Sequence, residues 1–327
     1  MNTKRFIYTL LAAVTCLAAT ASGINPDEWR DTRWTDGFAF FAFTRAESGR
    51  LVFEGGTLHE GGYGFALVPA AGDNKWTLKS LDPQFEFSPF AGSSAIGSIV
   101  SRATIDGQEV LLVRNSAGAV TDVLRRMTGR DDLHTMVVAD LRWNLAGEYT
   151  DTRGKQYTFY SDGTLTPPGR DNVAFKFEEI YDMPSYVITL ATGEHWMFEP
   201  IAEGLNLYTA KPLEDDEWEK GQLIAHLTKK PMEGGEPYGC WPETSSFLLT
   251  STYAGFYDKA TLRLMRNEIY ARHGVKFSSA DLKARFTPAK GWPAPTIDAS
   301  QAKLSAIELI NVDLIRNMEA ILARGDR

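Results

Sequence analysis

Lys229-Lys230-Pro231-Met232-Glu233-Gly234-Gly235-Glu236-Pro237 is the stretch that divides this chain. It is polar and rich in breakers, the composition of a linker. On its amino side apolar residues tend to alternate, and on its carboxyl side they recur every third or fourth position. Period two argues strands and period 3.6 argues helices. The reading is an α+β multidomain chain, with two antiparallel β-rich modules, meander- or barrel-like, followed by a small all-α domain. The expected boundaries are 25–134 and 135–230 for the β-rich modules, 231–246 for the linker and 247–327 for the helical domain.

Outward to the amino side, strand-length aromatic and β-branched runs follow one another. Phe38–Phe43, Arg50–Phe53, Tyr63–Val68, Lys75–Leu78 and Val110–Val113 make up the first block, with Asp106-Gly107 as a hairpin turn. Tyr157–Tyr160, Ala174–Phe177, Tyr186–Leu190 and Trp196–Phe198 make up the second, with Asp162-Gly163 and Thr192-Gly193 at turns. No βαβ alternation occurs. Leu145-Ala146-Gly147-Glu148-Tyr149, followed by Tyr157-x-Phe159-x-x-Asp162-Gly163-Thr164-Leu165, resembles the start of small bacterial lipocalin-like barrels. That likeness implies a barrel in the middle block.

At the amino end, Lys4 and Arg5 precede an apolar run, Phe6 to Ala19, that ends in Ala19-Thr20-Ala21. A basic start, a short apolar stretch and a small-x-small site are the parts of a secretory signal peptide. The expectation is a periplasmic or secreted protein, cleaved after Ala21, with no transmembrane segment in the mature chain. Cys16 offers a lipoprotein alternative, for which Ala13-Val14-Thr15 is a poor preceding sequence. The full chain has 327 residues, 34 Lys and Arg against 42 Asp and Glu, and a net charge of −8. Removing Lys4 and Arg5 takes that charge to −10. Such a chain is repelled by phosphate, which argues against a nucleic-acid or anionic-membrane partner. Cys240 would be alone in the mature chain, so no internal disulfide is expected.

Outward to the carboxyl side, Asp258 caps a helix with Leu262, Met265 and Ile269 on one face, and Gly274 ends it. Ser278 with Asp281 starts a short helix carrying Leu282 and Phe286, and Gly291-Trp292-Pro293 breaks it. A last helix is predicted from about Ser300 to Ala323, carrying Leu304, Ile307, Leu314, Met318 and Ile321. Within the first helix lies Arg266-Asn267-Glu268-Ile269-Tyr270-Ala271-Arg272-His273-Gly274. This string resembles the YARHG domain, a small extracytoplasmic module of bacterial envelope proteins. The likeness continues through Phe277, Leu282, Phe286, Trp292, Leu304, Glu308 and Asn311. One departure is Pro293, where the family commonly has an aromatic residue.

The resemblance implies no catalytic residue and suggests ligand or partner binding outside the cytoplasm. From the residues themselves, Glu268 and Arg272 are four apart and form an ion pair on one helix face. His273 sits at the helix carboxyl end, where a cation is favoured. Two readings stay open for Arg266, Asn267, Glu268, Tyr270, Arg272, His273 and Trp292. They form a binding edge for a carboxylate or peptide, or they tie the helix to Glu308 and Asn311.

Enzyme signals are absent. No Gly-x-Ser-x-Gly elbow, His-Glu-x-x-His, P-loop or dinucleotide fingerprint occurs. The five histidines have no metal-ligand spacing, Glu214-Asp215-Asp216-Glu217 reads as a solvated loop, and no cofactor is expected. The expected function is therefore non-enzymatic binding of an envelope protein, a peptide or a cell-wall component. Two alternatives remain: a lipocalin-like carrier of an apolar small molecule, and a hydrolase assembled from separate strands.

Overall fold

The computed structural model describes residues 33–35, 40–45, 51–56, 61–71, 75–80, 97–127, 133–180, 183–201, 203–214, 217–231 and 238–324. The signal segment with Cys16, the turn at 72–74, Asp215 and Asp216, and residues 232–237 of the expected linker lie outside them.

Among the described residues, alternating aromatic and β-branched runs form sixteen strands. The first eight are β1 (Arg33–Thr35), β2 (Phe40–Arg45), β3 (Leu51–Gly56), β4 (Gly61–Pro69), β5 (Lys75–Ser80), β6 (Ile99–Ile105), β7 (Gln108–Arg114) and β8 (Val120–Met127). Each pairs antiparallel with the next, and β1 closes on β8 through Arg33↔Met127, Trp34↔Arg126 and Thr35↔Arg125. The β6–β7 turn is as expected, because Asp106 (φ 47°) and Gly107 (φ 80°) both take positive φ. Trp34, Phe53, Phe65, Trp76, Leu78 and Leu111 fill this first barrel.

A helix, α1 (Leu133–Leu145), separates the barrels where the expected boundary at 134/135 would fall. Its signal is the four-residue spacing of Val137, Leu141 and Leu145, all buried on one face. The second barrel follows as β9 (Gly147–Asp151), β10 (Gln156–Phe159), β11 (Thr164–Thr166), β12 (Val173–Ile180), β13 (Met183–Leu190), β14 (His195–Ile201), β15 (Gly204–Pro212) and β16 (Trp218–Lys230). It too is antiparallel in consecutive order, and β16 closes on β9. Its interior is occupied by its own side chains. Tyr149, Phe159, Phe175, Phe177 and Phe198 run ring to ring at centroid distances of 5.7, 6.2, 5.7 and 6.0 Å. Phe256, from the helical part, continues the series 5.9 Å from Phe198. The barrel expected from the lipocalin-like likeness is therefore closed, and its interior is a packed core.

The helical part holds α2 (Glu243–Ser246), α3 (Ser251–Gly255), α4 (Lys259–Arg272), α5 (Ala280–Arg285) and α6 (Ala306–Arg324), with 3-10 turns at Pro288–Lys290 and Ala299–Gln301. Asp258 caps α4 by accepting the Thr261 N–H at 2.7 Å, and Gly274 follows it with φ +72°. Three expectations need correction. The N-cap of α5 is Ser279 and not Ser278. The last helix starts at Ala306 and not near Ser300, because Ser305 and Glu308 form a capping box. Glu308 N–H donates to Ser305 Oγ at 3.2 Å and Ser305 N–H to Glu308 Oε2 at 2.8 Å. Residues 239–246 were expected within a linker, yet Cys240, Trp241, Glu243 and Thr244 are buried because α4 and α6 clasp them.

The three parts share a core. Val110, Leu112, Val120 and Val123, on the outer side of β7 and β8, belong to the same cluster as α1, the second barrel and the helices. Among the described residues, no helix is long and apolar enough to cross a membrane.

Candidate functional site

Five of the seven candidate residues line up along α4, and the polar side chains of four of them, Arg266, Asn267, Glu268 and Arg272, bond to the protein itself. Arg272 spends all five of its N–H donors. Its Nε donates to Tyr238 O at 2.7 Å, its Nη1 to Thr244 Oγ1 and Ser245 Oγ at 2.9 Å each, and its Nη2 to Trp241 O at 2.8 Å and Glu268 Oε1 at 2.5 Å. Glu268, fully buried, also accepts the Trp241 N–H at 2.7 Å and the Cys240 N–H at 3.0 Å. Burial drives its carboxyl above the ordinary range, against the pull of Arg272 and the two N–H groups. The approach needs glycine at 239, where φ is +137° and a Cβ would stand 2.2 Å from Glu268 Oε1.

The other helix supplies the matching half. His273 Nε2 lies 2.9 Å from Glu308 Oε2, and Ser245 Oγ donates to Glu308 Oε1 at 2.6 Å. Asn311 accepts the Leu249 N–H at 2.9 Å and donates to Thr244 O at 2.9 Å and Phe247 O at 2.6 Å. The polar residues of the motif and of α6 thus meet on the segment 238–249, which passes between them. Signals for this partner were present as the Cys240-Trp241 pair and the Thr244–Ser246 hydroxyls, hidden by the breaker-rich stretch beside them.

The remaining candidates scatter. Arg266 pairs with Glu319, with N–O distances of 3.0 to 3.3 Å, and Asn267 donates to Arg263 O at 2.7 Å. Trp292 is buried edge-on against Phe286 and Tyr238, with centroids 4.9 Å away in each case. Tyr270 borders an open groove of about 340 Å³ with Arg114, Asp313 and Arg316.

Other side chains weighed for chemistry also find structural places. Burial pushes the Cys240 thiol up to about 12, the Glu268 carboxylate adding to the push and Arg285 and Lys229 pulling back. A thiol so placed is a poor nucleophile at neutral pH. His195 Nδ1 stands 2.6 Å from Thr189 Oγ1, with its ring against Trp218. Among the described residues no three His, Cys, Asp or Glu side chains gather as metal ligands.

One site the sequence did not point to lies where the first barrel, α1 and the helical part meet. A half-enclosed recess of about 80 Å³ is lined by Arg125 from β8, Asp140 and Trp143 from α1, and Glu243, Phe247 and Tyr253 from the helical part. Arg125 Nη2 donates to Asp140 Oδ2 at 2.6 Å. Burial raises the Asp140 carboxyl, with Arg125 opposing. Tyr253 donates its hydroxyl to Glu243 Oε1. The acids are buried, whereas Trp143 and Phe247 are 41% and 46% exposed and touch at 5.2 Å. No signal short of the tertiary structure joins residues 125, 140 and 243.

No curated protein and no solved structure matches the chain. Residues 239–320 match the model of the YARHG domain family, so the helical part, with the motif at 266–274 and the segment it clasps, carries the domain that the motif pointed to.

Proposed function

We propose that this is a non-enzymatic binding protein of the bacterial envelope, acting outside the cytoplasm, in which the YARHG domain is the scaffold that holds two barrels together. The observation that carries the reading is the spending of Arg272 and Glu268 on residues 238–245. The motif's Glu268 and Arg272 are used to fold the domain, which directs recognition to other surfaces. The partner is an envelope protein, a peptide or a cell-wall component. A signal peptide ending at Ala21 would deliver the chain, and Ser22 is then the first residue of the mature protein recovered from the periplasm or medium. The carrier alternative finds no support in the second barrel, whose interior is filled by aromatic rings.

The test is affinity purification of the mature protein from its own cell envelope. Co-purification of a protein or peptidic component supports the reading. A bound small molecule with no macromolecular partner overturns it.

A further inference from the structure

The recess at the junction has a polarity gradient. Its floor holds two carboxylates that are almost wholly buried, Asp140 at 6% and Glu243 at 7% exposure, and its rim holds two exposed aromatic rings. Leu248 and Leu249 supply apolar wall between them. The charges do not cancel. Arg125 is held by Asp140, whereas the bonding partner of Glu243 is a neutral phenol, so the site carries one formal negative charge in excess. Such a site favours a cation. Aromatic faces at the mouth attract an ammonium or stack along a methylene stem. A volume near 80 Å³ holds several waters, or one long side-chain head, and excludes a folded partner or a large cofactor.

We propose that this recess binds the alkylammonium side chain of a peptide, of lysine length, with the ammonium at Glu243 and the stem between Trp143 and Phe247. The proposal rests on the binding-protein reading and specifies one pocket and one chemistry for it. A peptide is preferred over an aminoalkyl lipid headgroup because the apolar wall above the acids matches a four-carbon stem, whereas ethanolamine has two carbons. The site draws on the first barrel, α1 and the helical part, so occupancy would also strengthen their association.

The experiment is calorimetric titration of the full mature chain with Nα-acetyl-lysine methylamide, using Nα-acetyl-norleucine methylamide as the uncharged control. The lysine probe is expected to bind saturably and at least tenfold more tightly than norleucine. Glu243→Gln, which keeps an acceptor for Tyr253, and Trp143→Ala, which alters an exposed side chain, are each expected to weaken lysine binding at least fivefold. Circular dichroism and thermal melting of each variant verify that it is folded. Equal binding of both probes, or unchanged lysine binding in both folded variants, overturns the proposal. So does binding to phosphatidylethanolamine vesicles without binding to the lysine probe. Failure here with a partner still captured from the envelope leaves the binding-protein reading standing and removes this pocket from it.

Discussion

At the scale of the residue, Arg272 and Cys240 show how the motif has been used. A guanidinium offers five donors in a fixed fork, and here all five are taken by the segment 238–245 and Glu268. Arg272→Ala strands a buried Glu268 carboxylate and four backbone or hydroxyl acceptors. It is expected to cost about 3–5 kcal/mol in urea unfolding. Arg272→Lys, with three donors and no fork, is expected to recover less than half of that loss. A full recovery by lysine would mean that charge alone is needed at this position. Cys240 makes a complementary prediction. Its thiol is buried and pushed up to about 12, first by burial and then by Glu268. In a chain beginning at Ser22, where Cys240 is the one thiol, native protein is expected to resist a maleimide reagent at pH 7. Labelling should follow the opening of the 238–245 clasp, so Arg272→Ala should accelerate it. Rapid labelling of folded wild-type protein would contradict the described packing.

At the scale of the element, α6 depends on Glu308 at its first turn. Burial pushes this carboxyl up, but the Ser245 hydroxyl, the Ser305 N–H and His273 outweigh it, and the net direction is down from the ordinary 4.5. A carboxyl lowered by folding contributes stability above its unfolded value, and that contribution is lost as pH falls through the folded one. Glu308→Gln is therefore expected to lower stability by about 1–2 kcal/mol at pH 7. The difference should shrink below about pH 4.5, as read from urea midpoints between pH 7 and pH 3. A difference independent of pH would assign the loss to packing instead of charge. The same residue shows what was legible in sequence. Ser305-x-x-Glu308 is a capping signature, and reading it would have started the helix at Ala306 instead of Ser300. Strand runs and Gly-containing turns were legible because a period of two and positive-φ turns are local properties. The short helices α2 and α3, of four and five residues, have too little length to show a period. The α4 motif was legible as a polar string, but its role was not. Whether Glu268 and Arg272 face a ligand or residues 238–245 is decided by a tertiary contact about thirty residues away in the chain.

At the scale of the whole molecule, two barrels with the same consecutive antiparallel topology are joined through one helical domain. The first barrel has its own interior cluster around Trp34, Trp76 and Leu111, separate from the core shared by α1, the second barrel and the helices. What joins it to that core is the outer face of β7 and β8, the Arg125–Asp140 pair, and two further polar links. Asp122, fully buried, accepts from Ser251 N at 3.2 Å and Ser251 Oγ at 2.9 Å. Asp313 on α6 accepts the Val120 N–H at 2.8 Å and lies 3.7 Å from Arg114. The apolar contact of Val110, Leu112, Val120 and Val123 adds to these links but has no direction of its own. Removing both carboxylates leaves buried donors on Ser251 and Val120 without acceptors, at about 1–3 kcal/mol each. The cost falls on the interface and spares both barrel interiors. Wild-type protein is accordingly expected to melt in one calorimetric transition. Asp122→Ala combined with Asp313→Ala is expected to split it, with the first barrel unfolding separately from a transition that retains the second barrel and the helices. If the variant instead keeps a single transition displaced to lower temperature, these links stabilise the fold without coupling its parts. The recess at the junction would then need no alignment of separately stable units to form.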